Sequence, residues 1–257
     1  MSTKSMTTKG TAVVTGSGQG IGRSVAQRLI ADGYEVLAVD VNATELTATA
    51  AALGCRHAVI DITDDKAVAS LAALAPECTA LINNAAIQRF TDLLHTSAAE
   101  VRLILNVNLV APLLAAQALV PVISANGGGS IVNVSSITSR SHPPSTSLYG
   151  PSKAAINQLT IAMAVEFGPL GVRCNAVAPG TVVTEGTLGH YGTPEAQAAI
   201  AACLPLRRMG APTDIASAIS WFCSDEAAWV TGQILAVDGG FLGSHGQFFR
   251  WARKAPK

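Results

Sequence analysis

The chain has 257 residues, with 17 basic and 17 acidic side chains and a net charge of zero. Hydrophobic residues make up 49% and DEKR only 13%, against about 25% charged in an average soluble domain, which excludes disorder as the main state. A nucleic-acid partner calls for a basic excess that is absent here, and the length fits one α/β domain.

Met1–Gly10 is polar, lacks the apolar core of a signal peptide, and reads as a flexible N-terminus before a domain over 11–243 and a tail over 244–257. Strands are expected at Thr11–Thr15, Glu35–Asp40, His57–Asp61, Thr79–Asn83, Ser130–Ser135, Val172–Val177 and Gln233–Val237. Helices are expected over 20–32, 43–53, 64–74, 97–106, 109–124, 151–167, 194–202 and 212–223. Strands alternating with helices imply a parallel sheet covered on both faces. The apolar runs AVVT, ALIN and IVNV suit strands buried on both sides. The expected fold is therefore α/β, a single doubly wound domain with a seven-stranded parallel sheet and its ligand at the carboxyl ends of the strands. The longest oily stretch, Val107–Ile123, is broken by Asn108, Pro112, Gln117 and Pro121. It falls short of the ~20 residues of a membrane span, so a cytoplasmic protein without a membrane partner is expected. The 109–124 helix is apolar nearly all round and must be buried. One face meets the sheet, and the other is expected to meet another subunit. Cys55, Cys78, Cys174, Cys203 and Cys223 form no Cys-x-x-Cys or Cys/His cluster, so reduced thiols are expected, with no metal.

The first strand runs into Thr15, Gly16, Ser17, Gly18, Gln19, Gly20, Ile21 and Gly22, a G-x-x-x-G-x-G turn leading into a helix. Glycines there permit a tight turn and close approach to a pyrophosphate. The helix start offers free N–H groups to the phosphates. Asp40 ends the second strand 18 residues after Gly22, where a carboxylate accepts hydrogen bonds from an adenosine ribose. It would repel a 2′-phosphate by about 4 kcal/mol at 4 Å and an effective dielectric of 20. NAD is thus expected over NADP. Arg23, beyond the last glycine, is the counter-argument.

Tyr149 and Lys153 are four residues apart and share one helix face. A phenol with a pKa near 10 is a poor base, and an adjacent ammonium is expected to lower it. Ser136, thirteen residues upstream, ends a buried strand and offers a hydroxyl to a substrate oxygen.

Together these motifs resemble the short-chain dehydrogenase/reductase family over residues 10–243. The resemblance rests on TGSGQGIG at 15–22, Asp40, Asp61, NNAA at 83–86, Asn108 in NVNL, Ser136, YGPSK at 149–153, PGTVVT at 179–184 and DGG at 238–240. It implies a Rossmann fold and an NAD-dependent oxidoreductase acting on secondary alcohols or ketones. It also implies a catalytic set of Asn108, Ser136, Tyr149 and Lys153. Tyr149 is then the acid/base, Ser136 polarises the carbonyl, Lys153 holds the nicotinamide ribose and Asn108 supports a proton-relay water. The loop Gly16–Gly22, Asp40, Asp61, Ile62, Asn84, Ala85, Tyr149, Lys153, Pro179, Gly180, Val182 and Thr184 are implied at the cofactor. The resemblance further implies a homotetramer. Two departures stand out: Ala86 replaces a usual glycine, and Pro151 lies inside the Tyr–Lys spacing, so the helix should start close to Tyr149.

Substrate contacts are expected from Gln88, Ser136, Arg140, His142 and Tyr149, and from the stretch holding Glu185, Leu188, His190 and Tyr191. These polar side chains suit a small polyol, sugar or hydroxy acid. A 3-oxoacyl-carrier-protein reductase is the alternative, but its acidic partner needs basic residues, and none lies between Asn108 and Ser130. A silent NAD-binding regulator is the alternative from another class, opposed by the intact Ser136, Tyr149 and Lys153. The tail GSHGQFFRWARKAPK, with Phe248, Phe249 and Trp251, is expected to order against a neighbouring subunit.

Overall fold

The computed structural model describes residues 9–244. The expectations for the N-terminal eight residues and for the aromatic tail lie outside the described residues. Seven parallel strands form one sheet in the order β3-β2-β1-β4-β5-β6-β7. They are β1 (Thr11–Thr15), β2 (Glu35–Asp40), β3 (Arg56–Val59), β4 (Cys78–Asn83), β5 (Gly129–Val134), β6 (Val172–Pro179) and β7 (Ile234–Val237). The order reverses between β1 and β4, and a crevice opens at that point beyond the strand ends.

Strand side chains alternate between two apolar layers, as the pleat requires. Ala12, Val14, Val36 and Ala38 pack with Val25 and Leu29 of α1 (Gly20–Ala31) and Ile215, Ile219 and Phe222 of α9 (Pro212–Cys223). Val13, Leu37 and Val39 pack with Leu119 and Ile123 of α6 (Ala111–Ala125) and Met163 of α7 (Tyr149–Phe167). Each such fully buried Val, Leu or Ile contributes about 1.5–3 kcal/mol.

Helix ends follow local chemistry. Asn42 caps α2 (Ala43–Leu53) by accepting from the Glu45 N–H, and Gly54 closes it at φ 65°. The expected 64–74 helix divides at Ser70 into α3 (Asp65–Ala69) and α4 (Leu71–Leu74). The expected 97–106 and 109–124 helices instead join. The helix α5 (Ala98–Leu105) runs into α6 through a π-helical turn at Asn106–Val110. The merged 28-residue helix is long and apolar enough to cross a membrane by length and composition, beyond the shorter stretch expected; half of its most apolar window is buried in the fold. Helix α7 starts at Tyr149, which places Pro151 in the first turn, where its missing N–H breaks no intrahelical bond. The remaining helix, α8 (Pro194–Cys203), is capped by Thr193.

Candidate active site

At the carboxyl ends of the strands lies a cleft of about 690 Å³. A second cavity of about 300 Å³ shares Gln19, Asn84 and Ala86 with it. The phosphate loop is locked from behind. Thr15 Oγ1 accepts from the Asn84 and Ala85 N–H groups at 3.1 Å, and Asn84 Nδ2 donates to the Thr15 and Gly16 carbonyls at 2.9 Å. Thr15 was not singled out by sequence; a polar residue closing an apolar strand was its only signal. A Cβ on Gly22 would overlap the Gly16 carbonyl oxygen and stand 2.6 Å from Asn84 Nδ2. Gln19, at the N-cap of α1, makes no side-chain cap, and the first turn carries no acidic residue. The Glu185 carboxylate accepts from the Gly20 N–H at the helix start, and the other orphan N–H groups are open to an anion.

Gly20, Ile21, Gly22, Asn84, Pro179, Gly180, Val182 and Thr184 line the cleft with Ser136, Tyr149 and Lys153. Gly16, Asp40, Asp61, Ile62 and Ala85 line the second cavity. Ser17 and Gly18 depart from expectation. Ser17 is fully buried with its hydroxyl donating to the Val39 carbonyl, and the Gly18 N–H donates to Asp40 Oδ2 at 2.9 Å. Asp40 Oδ1 accepts from the Asn42 N–H, so the carboxylate is fixed at the cavity edge by backbone. Asp61 is held below the usual carboxylate range by hydrogen bonds from the Thr63 N–H and hydroxyl. The loop, the helix start and the two adjoining cavities fit an extended dinucleotide.

Three of the four expected catalytic residues, Ser136, Tyr149 and Lys153, meet at the cleft. Ser136 is buried and caps the 3₁₀ turn Ile137–Ser139, its hydroxyl accepting from the Thr138 N–H at 3.1 Å. Lys153 is buried, and its Nζ donates to the Val134 carbonyl at 2.7 Å and lies 5.7 Å from the Tyr149 ring centre. Burial pulls its pKa down to about 8. Burial also pushes the Tyr149 phenol up to about 12, against the lowering effect of its hydrogen bond with Ser136. In the protein alone, therefore, the phenol is not lowered as expected: the lysine faces the Val134 carbonyl, and desolvation wins. Asn108 lies in the π turn, off the cleft wall. Its Oδ1 accepts from the Ile87 N–H at 2.8 Å, and its Nδ2 donates to the Ile87 carbonyl and to Ser152 Oγ.

Gln88 lines the cleft with His190 and Tyr191, and the His190 ring sits edge-on to Phe90 with centres 3.7 Å apart. Arg140 and His142 do not line it. Arg140 reaches the Ile234 carbonyl on β7, and the His142 ring occupies the space beside Gly150. Glu185 also turns away, into an ion pair with Arg23 on α1. Phe90, Ile137, Phe241 and the Pro143–Pro144 pair complete the wall. Sequence gave no pattern for these, because distant segments supply them. Among the described residues, Thr138 Oγ1 and Thr181 Oγ1 are buried without a hydrogen-bond partner, and both residues border the cleft. An orphaned buried hydroxyl costs about 1–3 kcal/mol.

The model of the family described as Enoyl-(Acyl carrier protein) reductase matches residues 16–242. A galactitol 2-dehydrogenase (L-tagatose-forming) from Cereibacter sphaeroides is 39% identical over 238 residues, covering 90% of this chain and 94% of that enzyme. A Beutenbergia cavernae structure with bound NADP, described as an NAD(P)-dependent gluconate 5-dehydrogenase, aligns at 35% identity and TM-score 0.85 over 92% of this chain and 98% of that one. A structure described as a betaketoacyl-ACP reductase aligns at 37% identity and TM-score 0.83 over 91% and 99%. The chain belongs to the short-chain dehydrogenase/reductase family, oxidoreductases that act on CH–OH groups with a nicotinamide cofactor.

Proposed function

We propose that this enzyme oxidises a secondary alcohol of a small, uncharged polyol with NAD. The charge of the cleft carries this reading. Among the described residues its wall holds no Asp, Glu or Arg, and its lysine is buried against the Val134 carbonyl. A hydroxy acid needs a cation for its carboxylate, and Arg140 is directed elsewhere. Gln88, Thr138 and His190 offer hydrogen bonds to hydroxyls, while Phe90 and Phe241 offer apolar surface to the C–H edge of a polyol. The likeness to a galactitol dehydrogenase supports the same class. For the cofactor, Asp40 supports NAD, and Arg23 is already engaged by Glu185.

Tyr149 takes the proton of the alcohol, and Ser136 orients its oxygen as the carbonyl forms. Lys153 holds the nicotinamide ribose, and Asn108, its amide spent on Ile87 and Ser152, acts from behind the cleft. The nicotinamide, when bound, supplies the hydride acceptor and a positive charge that favours the phenolate. Phenolate is the competent form for oxidation, so oxidation is expected to rise with pH from 7 to 10 while ketone reduction does not.

The test is an oxidation screen over neutral polyols, hydroxy acids and 3-hydroxyacyl thioesters with both cofactors. Polyols should give the highest kcat/KM, with NAD at least tenfold better than NADP, and Asp40→Ala should narrow that ratio. A hydroxy acid or thioester as best substrate overturns the substrate reading, and equal use of both cofactors overturns the Asp40 argument.

A further inference from the structure

We propose that Ser152 is a positioning residue for Tyr149, tying the π turn at Asn108 to the helical turn that carries the phenol. The proposal rests on the acid/base reading of Tyr149.

That turn is held by backbone hydrogen bonds, from the Tyr149 N–H to the Thr146 carbonyl and from the Ser152 N–H to the Leu148 carbonyl, but no side chain caps it. Tyr149 is the first residue of α7, Leu148 at the N-cap supplies no side-chain acceptor, and Gly150 and Pro151 follow. Glycine costs about 1 kcal/mol in a helix relative to alanine, and proline brings no N–H. The loop before it holds two non-glycine residues in the left-handed region, Ser145 at φ 57° and Ser147 at φ 48°.

Ser152 adds a side-chain anchor. It is fully buried, one turn inside the helix. Its hydroxyl donates to the Tyr149 carbonyl at 2.7 Å and accepts from Asn108 Nδ2 at 3.0 Å. A hydroxyl has one proton to give and lone pairs to accept with, and both capacities are used. Asn108 is itself immobile, 1% exposed and doubly bonded to the Ile87 backbone. An unbroken relay thus runs from the Ile87 backbone through Asn108 and Ser152 to the backbone of Tyr149. It ends on the reacting residue without touching the cleft, since Ser152 is absent from its wall. Displacements of about 1 Å at a reacting group are enough to cost up to 10²-fold in rate.

The test compares Ser152→Ala and Ser152→Thr. Threonine keeps a hydroxyl able to bond a carbonyl one turn back in a helix. In Ser152→Ala, kcat for alcohol oxidation should fall about tenfold, with substrate KM and NADH affinity within twofold of the parent. Ser152→Thr should recover most of that loss. Ultraviolet titration of the tyrosines, with Tyr149→Phe as the subtraction control, reads the phenol without turnover. The Tyr149 ionisation should move down toward 10 in Ser152→Ala as its burial loosens, and stay in place in Ser152→Thr. A kcat within twofold of the parent in Ser152→Ala overturns the proposal. So does an equal loss in both variants with the Tyr149 titration unmoved. A wrong substrate assignment, or a silent Tyr149→Phe result, leaves the titration readable and so is told apart.

Discussion

At the residue scale, Tyr149 and Lys153 stand in opposition: burial raises the phenol to about 12 and lowers the ammonium to about 8. Both groups are thus biased toward their uncharged forms. Tyr149→Phe removes the proton carrier, and kcat should fall by about 10²–10⁴-fold, the usual range for such catalysis. NADH binding, followed by fluorescence, should survive. Lys153 also sets a pH signature on stability. Its ordinary pKa is 10.5, and its folded value is about 8. Below 8 the ammonium is charged in both states, and its full burial cost weighs on the folded protein. Between 8 and 10.5 only the unfolded chain holds the proton, so the cost fades as pH rises. The stability of Lys153→Met minus that of the parent should therefore decrease from pH 8 to 10.5. The upper bound is about 3–4 kcal/mol, at about 1.4 kcal/mol per pH unit. Denaturant titrations at pH 7 and 10 check this, and a pH-independent difference would show that the lysine keeps its ordinary pKa.

At the element scale, the phosphate loop is the most exacting segment. Gly22→Ala drives a methyl into the Gly16 carbonyl, which is backbone and cannot rotate away. NAD affinity should drop by more than tenfold and the melting temperature should fall; unchanged NAD binding by calorimetry would mean that the loop tolerates a shift. This loop was legible because Gly-rich turns, Asp40 and the flanking apolar strand are local signals. The seven strands were legible for the same reason, although β3 begins one residue early, at Arg56, and ends at Val59. The join of α5 and α6 was not. Asn108 read as a break in an apolar stretch, whereas it finds its partners in Ile87 and Ser152, distant in sequence. Arg140 and His142 were misplaced because composition tells that a loop is polar, not which way its side chains turn. Glu185 was misplaced because its partner, Arg23, lies far off in sequence on α1.

At the scale of the whole molecule, the outer faces of the α5–α6 helix and α7 remain apolar. Val110 and Ile161 are each 39% exposed and Val165 is 72% exposed. These faces are where the expected tetramer would close. Leu114 is only half-buried against the core, so charging it would confound folding with assembly. Val165→Asp is cleaner, because an exposed substitution changes a monomer by only about ±0.5 kcal/mol. Light scattering should give a tetramer for the parent and smaller species for Val165→Asp; a monomeric parent would remove the idea. The strand order carries a separate consequence, in time. Strand β1 pairs with β2 on one side and β4 on the other, and roughly 63 residues separate Thr15 from Cys78. At about 5–20 residues per second, the ribosome leaves one edge of β1 open for about 3–13 s. That edge is AVVT, uncharged and ready to pair with another nascent chain. Chaperone demand during synthesis should therefore concentrate before β4 emerges, and fall sharply once it has.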